Sequence, residues 1–161
     1  MKKVKYLVIA IVVVILSVYI YKNFIYYRIP FNPIKEYTAE SLVDFHITQN
    51  LDNGKKISAK SHNPDTCDAI LEYFSSLKLM PLTDKAAQKA LSKNGNETYI
   101  TGMLKFEQSG EIFISDIFKK TPNVIHISSS IDGFKGEGYY KIVDSKFDYK
   151  YIIKLIDNNE K

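Results

Sequence analysis

"SHNPDTCDAILEYFSSLKL", residues 61–79, admits two readings, and the choice between them decides the fold. His62, Asp65, the chain's one cysteine Cys67 and Asp68 crowd its first eight positions, as ligands of a metal or neighbours of a reactive thiolate would. The same residues also fit a helix start one by one. Asn63 suits the N-cap, Pro64 the first helical position, and Asp65 and Asp68 the positive end of the helix. From Cys67 onward, Ile70, Leu71, Phe74 and Leu77 recur at spacings of three and four, the stripe of an amphipathic helix. A zinc site usually brings a second close ligand pair such as CxxC or HxxxH, and none is present. A helix start can lower a thiol pKa, but apolar burial raises it, and Cys67 lies on the stripe. The stretch is therefore read as a core-facing helix.

What precedes this helix reads as a strand pair. In "LVDFHIT", Val43, Phe45 and Ile47 alternate with Asp44, His46 and Thr48; "DNG" at 52–54 is a hairpin turn signal, and "KKISAKS" returns. Downstream, "TDKAAQKALSKNG" suggests a weaker surface helix capped by Thr83 and stopped at Gly95. "TYITGMLKFE", "EIFISDIF", "VIHISSS" and "YYKIV" read as antiparallel strands, and "DSKFDYKYIIKLI" as a closing helix with Ser145 at its cap. The fold class expected is α+β: an antiparallel sheet of five to six strands covered on one face by two helices. The other face is left to solvent or a partner.

Ahead of this domain lies a segment of different character. Residues 1–29 hold five Lys or Arg and no acid, whereas residues 30–161 carry 17 basic and 18 acidic groups, a net of −1. The basic character of the whole chain thus belongs to the membrane flanks and gives no support to nucleic-acid binding. From Tyr6 to Tyr21 no residue is charged, a run of about 24 Å as a helix, lengthened by snorkelling of Lys5 and Lys22. Tyr19, Tyr21, Tyr26 and Tyr27 suit an interfacial belt. "LSVYIYKNF" lacks the small residues of a cleavage site, and no lipid-accepting Cys follows, so an uncleaved signal-anchor is expected. The short Lys-rich N-terminus favours N-in with the domain on the extracytoplasmic side of the cell membrane; similar basic counts on both flanks leave the reverse topology open. The organisation expected is a transmembrane segment at 1–29, a Pro-containing spacer at 30–36 and one globular domain at 37–161.

"AILEYFSSLKLMPL" and "YYKIVDSKFDYKYI" together resemble small membrane-anchored or lipoprotein-like extracytoplasmic domains of unknown function from low-GC Gram-positive bacteria. That resemblance, over residues 35–157, implies an extracytoplasmic location and brings no catalytic residues. This chain departs from the lipoprotein members in lacking an anchoring Cys.

His46 and His126 both fall on polar strand faces, where neighbouring strands would let them converge on a metal or titrate near neutrality. "DGFKGEG" carries Gly133, Gly136 and Gly138 but matches no phosphate-binding loop and reads as a hairpin or wide loop. "NET" at 96–98 fits a glycosylation sequon. Of the 12 Tyr and nine Phe, those near the C-terminus (Tyr139, Tyr140, Phe147, Tyr149, Tyr151) are mostly expected in the core, the exposed remainder suiting a partner surface. No residue is assigned a catalytic, cofactor-binding or metal-binding role, and no cofactor is expected. The function expected is a non-enzymatic membrane-anchored binding module for a protein or envelope partner. The alternatives are an immunity or regulatory membrane protein and an envelope enzyme with an unreadable site.

Overall fold

In the computed structural model, which describes residues 2–92, 97–119, 123–143 and 147–159, the apolar N-terminal run forms helix α1 (Lys2–Ile20). Helical winding continues through a π turn (Tyr21–Ile25) and a 3-10 turn (Tyr26–Arg28), so that Val4–Arg28 is long and apolar enough to cross a membrane. Val4–Ile25 is exposed on every side, and Tyr26 and Tyr27 are half-buried where the span meets the domain.

The domain follows in the order β1 (Leu42–Asn50), β2 (Lys56–Ser61), α2 (Pro64–Ser76), β3 (Leu79–Pro81), α3 (Asp84–Leu91), β4 (Tyr99–Phe106), β5 (Glu111–Phe118), β6 (Val124–Ser129), β7 (Gly138–Ile142) and α4 (Tyr149–Asn159). The strands form one antiparallel sheet in the order β2-β1-β4-β5-β6-β7-β3. Gly54, at φ +80°, closes the β1–β2 hairpin where the Asn-Gly signal lies.

The class is α+β, as expected, but two details differ. The sheet has seven strands, not five to six, because "LMP" at 79–81 pairs with β7 at the sheet edge. Pro81 is tolerated there because an edge strand needs only alternate donors. The helices also divide between the two faces. α2 and α4 cover one face: Cys67, Ile70, Leu71 and Phe74 meet Phe45, Ile47, Leu104 and Ile125, joined by Phe147 and Ile152. α3 packs on β6 and β7 instead, where Ala87 and Val124 are buried outside that main core. Ala87 is the only buried residue of α3, so this contact is thin.

Two strand irregularities also depart from simple alternation. A register shift between Leu42 and Asp44 turns Leu42 inward, leaves Val43 37% exposed and buries Asp44. A second shift, between Ile100 and Gly102, gives β5 an extra residue at Ser115–Asp116. At the last helix, Asp148 takes the capping role, its Oδ1 accepting from the Tyr151 amide at 2.9 Å, with Phe147 buried just before it. Ser145, the expected cap, lies outside the described residues, as do Gly95 and the sequon's Asn96.

Residues 30–36, read above as a spacer, lie on the domain. The Phe31 amide donates to the Leu79 carbonyl at 2.7 Å, and Pro33 and Ile34 are buried.

Candidate functional site

Pairing places His46, Met103, Phe113 and Ser128 in one row across β1, β4, β5 and β6, on the face opposite α2 and α4. Below them Thr48 lies beside Ser58, their hydroxyls 2.9 Å apart, and opposite Thr101. Phe113 is 38% exposed, a large apolar side chain amid hydroxyls and half-buried Met103. Lys56, Lys60 and Lys105 are exposed on the same face, away from α3. A polar, lysine-edged surface with a Phe–Met centre is suited to docking a partner: the apolar pair supplies burial and the hydroxyls supply adaptable hydrogen bonds.

His46 and His126 do share this face, but they do not meet. β4 and β5 lie between their strands, and three steps of about 4.8 Å across the sheet with a two-residue offset along β6 put them about 16 Å apart. His46 Nε2 lies 3.4 Å from the Thr48 hydroxyl. His126 belongs to a different cluster at the β5 irregularity. Asp116 there has φ +62°, the only non-glycine residue with positive φ among those described. The Ser115 hydroxyl donates to Asp116 Oδ2 at 3.4 Å and lies 3.5 Å from His126 Nδ1, while the His126 ring lies 4.5 Å from that of Tyr139. Burial pushes the Tyr139 phenol pKa up, with Asp116 and then Asp84 adding to it. The order here is carboxylate, serine, histidine. A hydrolytic relay needs the histidine between the other two, so that the carboxylate orients the imidazole and supports its positive charge. The arrangement braces the irregularity and lacks the relay's connectivity.

"SHNPDTCD" is resolved in favour of the helix start. Asn63 Oδ1 accepts from the Thr66 amide at 3.2 Å and Pro64 opens α2. Cys67 is fully buried, and its pKa is raised by burial first, then by the carboxylates of Asp44 and Asp68. His62 points to solvent, its Nδ1 3.7 Å from Asp44 Oδ1. Asp65 and Asp68 are exposed on the first turns of the helix. Among the described residues no group of three or more His, Cys, Asp or Glu is placed to hold a metal.

Asp44 was not anticipated. Its side chain is 9% exposed, Lys60 Nζ approaches Oδ2 at 3.3 Å, and Oδ1 is buried without a hydrogen bond. No local signal announces it, because its burial depends on the β1 register shift and on where β2 ends. Asn32 was also missed, and here a signal existed. Its amide donates to the carbonyls of Phe74 (2.8 Å), Ser75 (3.1 Å) and Leu77 (2.9 Å), the unpaired end of α2, while its Oδ1 accepts from the Ile34 amide at 3.0 Å. The Asn32-Pro33 pair repeats the Asn63-Pro64 pair that marks the start of α2.

The glycine-rich loop serves this junction. A Cβ on Gly136 would lie 2.5 Å from Pro33 Cβ, and the Gly136 carbonyl accepts from the Tyr140 hydroxyl at 2.7 Å. The glycine thus permits close approach of the chain leaving α1. No protein-family model, curated protein or solved structure matches the chain.

Proposed function

We propose that this chain is a single-pass membrane protein that holds a binding domain against the extracytoplasmic membrane surface. Its open sheet face, centred on Met103 and Phe113, would receive a protein or envelope component. One observation carries the reading: the apolar helical run is exposed on every side from Val4 to Ile25, and the backbone that leaves it is fastened to the domain within a few residues by Phe31 and Asn32. An exposed apolar span needs a nonaqueous environment. A fastening so close to it keeps the domain beside that environment without a long tether. The face opposite α2 and α4 then offers an exposed aromatic among hydroxyls and lysines.

The test is copurification from crosslinked membranes of the intact chain, alongside a chain whose residues 4–20 are deleted. A specific partner recovered only with the intact chain supports the proposal. Full biological activity from the deleted chain, released from the membrane, contradicts it. Gene neighbourhood separates a general binding module from the immunity alternative, which requires a toxin or exporter alongside. The enzyme alternative would be favoured if Ser115→Ala and His126→Ala each abolished activity while leaving partner recovery intact.

A further inference from the structure

Where α1 meets the domain, the backbone changes winding twice in eight residues, from α to π at Tyr21 and from π to 3-10 at Tyr26. Two grooves lie at this junction, sharing Tyr21 and Tyr26 as walls. One, of about 560 Å³, is lined by Ser17, Val18, Tyr21, Lys22, Tyr26 and Tyr27. The other, of about 280 Å³, includes Ile29, Phe31, Lys135 and Gly136 with the shared tyrosines. Each pairs an apolar and aromatic wall with a single lysine. Lys22 and Lys135 are both exposed, and neither forms an ion pair among the described residues. Asp84 and Glu137 line a smaller cavity of about 110 Å³ on the domain side of Tyr26 and Tyr27, which it shares with the larger groove.

Position narrows the occupant. Ser17, Val18 and Tyr21 belong to the apolar span, so one end of the larger groove lies at acyl-chain depth when α1 crosses a bilayer. Lys22 follows at once, at the depth where headgroups begin. A ligand filling such a groove needs an apolar portion beside Val18 and an anionic head a helical turn further out. A soluble anion meets only the second need and a neutral lipid only the first.

We propose that the two grooves seat anionic phospholipids of the surrounding leaflet, with acyl chains along Val18, Tyr21 and Ile29 and phosphates at Lys22 and Lys135. The inference rests on the reading that α1 spans the membrane. The two sites fix the domain from both sides of Tyr21 and Tyr26, one lysine coming from the helix and the other from the β6–β7 loop. A lysine close to an anionic surface contributes roughly a fivefold preference, so each groove favours anionic over zwitterionic lipid by about fivefold.

The full-length chain reconstituted in vesicles of equal parts phosphatidylglycerol and phosphatidylcholine tests this. The vesicles are washed with alkaline carbonate, the protein is extracted in mild detergent, and the phospholipid carried with it is counted by native mass spectrometry. Wild type should retain two phospholipids, each with a preference of about fivefold for phosphatidylglycerol. Lys22→Gln and Lys135→Gln should each abolish the preference of one of the two bound lipids, and the double variant should abolish both without changing the thermal midpoint. A wild type with no preference, or a preference the double variant keeps, overturns the lipid sites while leaving the anchorage intact. Release of the protein by carbonate overturns the anchorage and the lipid sites together.

Discussion

Replacing Asn32 by alanine probes how firmly the membrane segment is joined to the domain. The side chain is 8% exposed and its amide lies within 3.1 Å of three carbonyls at the end of α2. Two amide protons serve three acceptors and Oδ1 accepts from the buried Ile34 amide, so the substitution removes about three net hydrogen bonds at about 1 kcal/mol each. Carbonyls left with fewer donors add about 1 kcal/mol more, moderated because the groove formed by Phe31, Lys35, Leu77 and their neighbours admits water. The expected loss is about 4 kcal/mol, or about 13 °C in thermal midpoint for a domain of this size. Near-ultraviolet circular dichroism of the full chain in detergent reads it, since seven of the 12 tyrosines (Tyr37, Tyr73, Tyr99, Tyr139, Tyr140, Tyr149 and Tyr151) lie in the domain and their signal changes when it unfolds. Asn32→Asp keeps an acceptor for the Ile34 amide but sets a carboxylate against three carbonyls, so it should cost at least as much. A midpoint within about 1 °C of wild type for either variant would refute the clamp.

Three further outcomes follow from the geometry. Cys67 should react with a thiol reagent roughly a thousandfold or more slowly in the native chain than in denaturant, because it is fully buried and labelling must await opening of the core; comparable rates would place the thiol at the surface. Burial pushes the Tyr73 phenol up to about 12 from its ordinary 10.0 and moves Tyr140 in the same direction, so the folded state holds these protons more tightly than the unfolded one. That stability is fully present below pH 10 and is lost as pH rises toward 12, which alkaline unfolding will show; Tyr73→Phe should flatten the fall while costing about 1 kcal/mol for the lost 2.7 Å bond from the Asp148 amide. Asp116→Val forces a β-branched residue to φ +62° and should cost about 1–2 kcal/mol in thermal unfolding, whereas Asp116→Gly should stay within about 0.5 kcal/mol; equal effects would deny the strain.

Much of the architecture was legible because it is written in local periods. The stripe from Cys67 to Leu77 and the alternation through Phe45 and Ile47 each need only their own neighbours to be recognised. β3 was not legible, since three residues are too few for a period and Leu79–Pro81 becomes a strand only by pairing with Tyr140–Ile142. The inward turn of Leu42 and the left-handed Asp116 arise from register shifts against β4, a partner that local sequence does not name. His46 and His126 were correctly placed on a polar face, while strand order, a long-range property, decided that they stand apart. The Asn32 clamp could have been read from its Asn-Pro pair, but its three acceptors lie at the far end of α2, more than forty residues on.

The docking claim rests on the face around Phe113, and a photo-crosslinking residue placed there in the full-length, membrane-embedded chain tests it most directly. A second chain carries the same group at Glu72, exposed on α2 on the opposite side of the sheet. A discrete adduct is expected from position 113 and none from position 72. No adduct from 113, or the same adduct from both, would contradict it.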